Sequence, residues 1–595
     1  MKTLGQERAD WTGVASPGPV GDAVEVSFSQ RLKRFIENED SEPIQLFSDD
    51  MRAHSLSGDW YGEHVGKWLV AAGHALRRTE SDDLTNTVER IVSFLIDRQG
   101  EDGYLGTYSA EYAGRLTNEA ASSVRTWDLW VHAWMILGLL QVADALQLPR
   151  AFEAARRIGD LMVRTFGSGE RSVLSLGNHQ GLSSGVIVHP LAELSRVTGE
   201  PQYAALAKQI LQQMEERGLA ILSGPDKALD ISELGTGKAY QLCWILVGLT
   251  ALYRVTGDKQ LLEVTEYWWR NIAENHLTPL GGPWGGIGTH KEVFNARGFF
   301  SPYGFTETCS TAAWMSLSRE LYAITGSINY LQSFERSLLN ALLGAMDENG
   351  RDWCYFTFPN GRRNNTYHWA CCRSSGAMAL EEVRLAASTL TENGISFNLW
   401  HSQIRMSSFG GREVRFEHAV QENGFESYVK VDLQGQLDLT VVVRLPIGSR
   451  LASVSINGEP FECKAENGFL IFNRHWSDED VVHIQLDFGV AVHTFTYSVD
   501  HHGQEVVRTD YAHLTWGPYV YSTGLIDGYK KEETLRLAKL TPEAPFAIRE
   551  EATKKLPVID FVQPGRSPIP FQPYFEAGGR HDGAWRSTWI QVAWQ

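Results

Sequence analysis

Three segments of this chain end in the same way. Leu194-Ser-Arg-Val-Thr-Gly199, Leu252-Tyr-Arg-Val-Thr-Gly257 and Leu321-Tyr-Ala-Ile-Thr-Gly326 each close one amphipathic stretch and precede another. Their glycines fall 257 − 199 = 58 and 326 − 257 = 69 residues apart. A glycine just past a helix supplies the left-handed conformation that terminates it. Each unit therefore reads as a helical hairpin, and a hairpin cannot bury its apolar face alone. Stacked hairpins make an open solenoid or a closed ring. Long Gly- and aromatic-rich insertions at 281–303 and 352–372 favour a closed ring with a pocket on one end. The stretch from Asp59 to Leu390 holds enough helical periodicity for about six pairs, an (α/α)6 toroid.

After Gly394 the period changes. Tyr428-Val-Lys-Val-Asp-Leu, Leu437-Asp-Leu-Thr-Val-Val-Val-Arg-Leu and Val482-His-Ile-Gln-Leu-Asp-Phe alternate with period two or run β-branched. Turn signals such as Asn457-Gly and Glu466-Asn-Gly separate these segments, which predicts a β-sandwich. The expected divisions are an N-terminal lead-in at 1–30, a catalytic toroid at 31–390, a β-sandwich at 391–540 and a C-terminal extension at 541–595. Within the lead-in, Val24 to Phe28 reads as a strand that joins the β region. The extension is Pro- and aromatic-rich, and either packs back on the ring or finishes the sandwich.

The chain carries 54 Lys and Arg against 72 Asp and Glu, a net charge of −18 that disfavours nucleic-acid and anionic-membrane partners. No run of 18 or more apolar residues occurs, so no membrane span is expected. The first 21 residues lack a basic segment followed by an apolar one, so no signal peptide is expected, and the protein reads as cytoplasmic. Six cysteines are too few for a disulfide scaffold. In a reducing compartment such thiols are buried, metal-bound or catalytic.

One constellation is chemically pointed. Glu307-Thr-Cys309 is followed, 371 − 309 = 62 positions later, by Cys371-Cys372. Three thiols and a carboxylate make a ligand set that zinc accepts in tetrahedral geometry. Buried thiols without a metal satisfy the same spacing. Glu292 and Glu307 lie in a Gly- and aromatic-rich insertion, where an apolar pocket would raise a carboxyl pKa enough for general-acid work. A solvated loop glutamate is the alternative. His132 sits on a helix and His290 two residues before Glu292; core histidines look the same in sequence. Nineteen Trp and twenty Tyr suit a sugar cleft or simply a helical core.

The chain resembles glycoside hydrolase family 127, the zinc-dependent β-L-arabinofuranosidases formerly grouped as a domain of unknown function. Five stretches carry the resemblance in family order: Trp60-Tyr-Gly-Glu-His-Val-Gly-Lys-Trp68, Gln99-Gly-Glu-Asp-Gly-Tyr-Leu-Gly-Thr-Tyr108, Gly285-Gly-Ile-Gly-Thr-His-Lys-Glu-Val-Phe294, Tyr303-Gly-Phe-Thr-Glu-Thr-Cys309 and Ala370-Cys-Cys372. The resemblance implies a toroidal active site followed by β-sandwich domains. It implies that Glu307, Cys309, Cys371 and Cys372 bind Zn2+, that Cys371 is the nucleophile and that Glu292 is the acid/base of a retaining exo-glycosidase. Zinc would keep the thiol ionised, and a cysteine would replace the usual carboxylate nucleophile.

Departures from the family concern substrate. Gly237-Lys238-Ala239 stands where relatives carry Gly-His-Ala, Ser183-Ser184-Gly185 replaces a His-bearing segment, and Arg373-Ser-Ser-Gly376 replaces Pro-Pro-Asn. An inward Lys238 would pair with a carboxylate or sulfate on an acidic sugar; an alternative is a lysine that satisfies a helix end. His132 and Tyr355 match pocket positions of the family, while His290 and Trp284 are binding candidates by proximity. The expected partner is a glycoside or oligosaccharide, and a homodimer through the sandwich stays open. Two rival functions also stay open. One is another toroidal carbohydrate enzyme, an epimerase or unsaturated-uronide hydrolase; the other is a non-catalytic carbohydrate-binding scaffold with structural zinc.

Overall fold

The computed structural model describes residues 12–14, 18–54, 61–118, 126–286, 291–366, 370–524, 535–537, 546–551, 554–562, 565 and 567–594. Twelve helices among them carry the ring: α1 (Pro19–Ser27), α2 (Glu63–Arg78), α3 (Asp82–Asp97), α4 (Asp128–Leu146), α5 (Pro149–Phe166), α6 (Val188–Thr198), α7 (Pro201–Glu216), α8 (Ala239–Thr256), α9 (Lys259–Asn275), α10 (Thr308–Thr325), α11 (Ile328–Arg336) and α12 (Cys371–Ala387). The even-numbered helices form the inner wall. Each packs on the next, and α12 closes the circle on α2.

Sequence pattern separates the two rings. Outer helix α5 buries Ala151, Ala154, Ala155, Ile158, Leu161 and Met162, a stripe with helical spacing. Inner helix α4 buries every residue from Asp128 to Ile136 because it has neighbours on all sides. It is the described helix long and apolar enough to cross a membrane by length and composition, yet most of it is buried inside the ring.

The inner helices approach closely at glycines. A β-carbon on Gly66 of α2 would lie 2.5 Å from the Trp134 backbone of α4, and one on Gly138 would lie 2.6 Å from the Gly66 carbonyl. The repeat glycines serve otherwise. Gly199, Gly257 and Gly326 end α6, α8 and α10 with φ of 75°, 69° and 71°.

Two expectations are corrected at the N-terminus. Val24 to Ser27 lie in α1, with Val20, Ala23, Val24 and Ser27 buried at helical spacing. Two valines suggested a strand, but packing against α12 decides the conformation. The strand that does join the β region is Thr12–Val14, antiparallel to Gln403–Phe409. The sixth outer helix thus comes from residues 19–35 rather than from 59–390, and the lead-in from Pro19 onward belongs to the ring.

Beyond α12, a seven-stranded sheet that includes 403–409, 412–420, 426–433, 480–488 and 449–456 lies with a four-stranded sheet of 469–477, 436–444, 394–397 and 388–391 in one shared core. An eight-stranded sheet follows, led by the long hairpin of 490–501 and 504–516. Its strands 546–549, 558–561, 569–573 and 590–594 belong to the C-terminal extension. That stretch also reaches the ring, since Trp585–Ser587 pairs with Asn360–Arg362 of the second insertion.

Candidate active site

Inner helices α2 to α10 are each followed by an antiparallel outer partner, and α12 packs on α1, so the inner N-termini gather at one face of the ring. Unpaired N–H groups and the positive dipole ends converge there, which suits anionic ligands such as thiolates. Glu307 is the N-cap of α10 and Cys309 lies in its first turn; Cys371 and Cys372 open α12. Ring closure brings the two helices together. The ligand atoms of Glu307, Cys309, Cys371 and Cys372 all lie within 4.8 Å of one another. Cys309 Sγ is 3.4 Å from Cys371 Sγ and 3.3 Å from Cys372 Sγ. Ser310 Oγ donates to Glu307 Oε2 at 2.7 Å, which orients that carboxylate.

The four donors differ in access. Glu307, Cys309 and Cys372 are buried, whereas Cys371 is half-buried and has an open side. Their acidities differ likewise. Cys309 and Cys372 donate S–H to Cys371, and with the nearby Lys67 charge they hold its thiol well below the ordinary range. Burial pushes Cys309 and Cys372 well above it.

Glu292 comes from the first insertion, whose backbone is pinned to the start of α8. Ala239 N donates to Glu292 O at 3.1 Å, and Phe294 N to Gly237 O at 2.7 Å. Lys238, the N-cap of α8, turns inward and forms an ion pair with Glu292 Oε2. Burial pulls the Lys238 ammonium below the lysine range against the pull of Glu307 and the thiols. Tyr355 links the halves of the site: its Oη donates to Glu292 Oε1 and lies 3.5 Å from Cys371 Sγ. Its backbone is held by Thr308 N, which donates to Tyr355 O at 3.0 Å.

Other candidates take different positions. His132 is fully buried, its Nδ1 at 2.8 Å from Asp128 O, and its Nε2 accepts from Leu105 N at 3.1 Å. It is corrected from a sugar contact to a scaffold group. With Asp128, which accepts from Tyr104 Oη at 3.0 Å, it fixes the Asp-Gly-Tyr-Leu turn. Trp284 is also corrected: it is 4% exposed, packed on Gly304 and edge-on to Phe299, so it supports the insertion. His290 lies outside the described residues.

The sequence reading missed a polar group beneath the cysteines. Lys67 Nζ donates to Glu63 Oε1 and Ser375 Oγ, each at 3.0 Å, and faces the rings of Trp130, Trp134 and Tyr240. Burial opposes the Lys67 charge, but Glu63, Tyr240 and the thiols hold it well above the lysine range. Burial pushes the Glu63 carboxyl up to about 7. The available signal was a Glu and a Lys four apart at the start of a helix that then runs apolar from Trp68 to Gly73, a pair that meets when all faces are buried.

The model of the β-L-arabinofuranosidase, GH127 catalytic domain matches residues 28–384, which run from the end of α1 into α12 and include all four clustered donors. The chain belongs to glycoside hydrolase family 127. It is accordingly a glycoside hydrolase. A non-reducing end β-L-arabinofuranosidase of Bifidobacterium longum subsp. longum is 22% identical over 567 residues, 86% of this chain and 83% of that protein. Among solved structures, the family 127 β-L-arabinofuranosidase Ara127N of Geobacillus stearothermophilus T6 superposes with a TM-score of 0.75 at 18% identity, covering 98% of this chain and 100% of that one. A second family 127 β-arabinofuranosidase superposes at 0.70 with 18% identity, over 96% and 94% of the two chains. The fold of family 127 therefore extends over the sandwich as well as the ring.

Proposed function

We propose that this family 127 member is a retaining, exo-acting hydrolase of β-L-arabinofuranosides, with Cys371 as nucleophile and Glu292 as general acid/base. One observation carries the reading: Cys371 alone of the four clustered donors keeps an open side, and Tyr355 Oη joins it to Glu292.

Three sulfurs and one carboxylate oxygen within 4.8 Å of one another fit zinc by donor type and number. Glu307, Cys309, Cys371 and Cys372 would hold it, and the chemistry it supplies is to keep the sulfurs deprotonated at neutral pH. The Cys371 sulfur attacks the anomeric carbon while the proton shared by Lys238 and Glu292 passes through Glu292 to the departing glycosidic oxygen. A thioglycosyl bond on Cys371 replaces the C–O bond that breaks. Glu292 then takes a proton from water, whose oxygen attacks the same carbon and releases the Cys371 sulfur. Two inversions leave the configuration retained.

The Lys238 ammonium is engaged by Glu292, which supports a neutral sugar in the pocket over an acidic one. The test uses an aryl β-L-arabinofuranoside with wild-type, Cys371→Ala and Glu292→Gln protein, and mass spectrometry of a trapped adduct. Expected are turnover in the wild type, near-complete loss in both variants with fold retained, and the adduct on Cys371. Turnover that survives either substitution overturns the assignment, as does an adduct on another residue.

A further inference from the structure

Ser375 is buried at the ring axis, one turn after Cys371 on α12, where side chains of four inner helices meet. Its Oγ lies 3.0 Å from Lys67 Nζ of α2, 3.3 Å from Tyr240 Oη of α8 and 3.2 Å from Cys309 Sγ of α10. A hydroxyl has one proton and two lone pairs to distribute among these three neighbours.

Lys67 has only donors, so it occupies one lone pair. One lone pair and one proton remain for Tyr240 and Cys309. If the Ser375 proton went to Tyr240, Cys309 would have to donate an S–H, which a metal-held thiolate lacks. The other arrangement satisfies every group: Lys67 and Tyr240 donate into Ser375, and the serine proton goes to the Cys309 sulfur.

We infer that Ser375 is a positioning residue for the metal site, its hydroxyl proton committed by Lys67 and Tyr240 to the Cys309 thiolate. The inference rests on the zinc-thiolate reading above. Groups that hydrogen-bond to metal ligands fix ligand orientation, and their loss weakens metal binding. The hydrogen bond makes Cys309 an anchoring sulfur, distinct from Cys371, whose open side faces substrate.

The experiment measures zinc affinity by competition with a chromophoric chelator, and the sulfur-to-cobalt charge-transfer band of the Co(II) form. Wild type, Ser375→Ala and Ser375→Thr are compared. Ser375→Ala should bind zinc roughly 10- to 100-fold more weakly and shift the band to lower energy, because the thiolate loses a donor. Ser375→Thr, which keeps the hydroxyl, should restore both. Ser375→Gly serves as the hydroxyl-free variant if the alanine protein does not fold. Unchanged affinity and band in a hydroxyl-free variant overturn the role of Ser375 and leave the zinc-thiolate reading intact. A wild-type protein that binds neither zinc nor cobalt overturns both.

Discussion

The phenolic oxygen of Tyr355 lies 3.5 Å from Cys371 Sγ, and the same hydroxyl donates to Glu292. One group thus sits between the proposed nucleophile and the proposed acid/base, on a segment whose backbone is fixed by the start of α10. Burial and then the Cys371 charge push its own pKa well above the tyrosine range, so it remains a neutral donor at working pH. Tyr355→Phe removes that donor without changing the ring. A hydrogen bond to a charged group contributes about 1.5–3 kcal/mol, so kcat should fall roughly 10- to 100-fold with zinc content unchanged. Equal kcat in the phenylalanine variant would show that the contact has no part in the reaction.

Lys238 spends its charge on Glu292, at 5% side-chain exposure against 21%. Lys238→Met should therefore lower kcat/KM for uncharged arabinofuranosides by at least roughly tenfold, the scale of one lost charge-assisted hydrogen bond. Kinetics with matched neutral and uronic-acid substrates check this. If only the acidic substrate suffers, the ammonium serves the sugar and the ion pair is dispensable.

Two kinds of glycine should respond differently to alanine. At Gly138 an added methyl meets the Gly66 carbonyl at 2.6 Å, so Gly138→Ala must separate α2 from α4, at a cost of about 1–3 kcal/mol. At Gly257 nothing lies within 4 Å, and the cost is the left-handed backbone alone, about 1 kcal/mol. Thermal unfolding of both variants and of Gly257→Asn separates the causes. Asparagine tolerates that conformation, so it should lose less than alanine at 257.

The sandwich buries two histidines in their neutral form. Burial holds His418 down to about 3, with His401 adding to it, and burial holds His401 down to about 4. The unfolded chain binds these protons near pH 6.5 and the folded chain does not, so stability falls as pH drops below 6.5 and keeps falling until about 4 or 3. At pH 5 each histidine should cost about 2 kcal/mol relative to pH 7 or above. Among the described residues neither nitrogen of His418 has a partner, and its ring packs on Phe397 and Trp400. His418→Leu should flatten the decline of thermal midpoint between pH 7 and pH 5. An equally steep decline in that variant would assign the acid sensitivity elsewhere.

The repeats were legible because termination is local. Three helices end at a glycine in the left-handed region, and the Thr-Gly signal stands in the sequence. The equivalent turn after α4 was silent because Gln147 adopts φ 54° in the glycine's place. Val24 misled for the converse reason: a β-branched residue takes the helix that its buried face requires. The clustered Glu307, Cys309, Cys371 and Cys372 were legible as residue types, and Glu292 as a carboxylate in an insertion. His132 was not, because a histidine that holds two backbone groups and one that holds a sugar look alike in sequence.

By itself the amino-acid order determined the helical hairpins, the change to period two after α12, and the presence of three thiols and two glutamates able to do this chemistry. Only the tertiary structure decided which of those groups meet. Cys309 and Cys371 are 62 residues apart in sequence and 3.4 Å apart in space because closure of the ring sets α10 against α12. The same closure brings Lys67, Tyr240 and Ser375 under them and turns Lys238 onto Glu292. Such contacts follow from helices packing at close range around a common axis, a condition that no window of neighbouring residues contains.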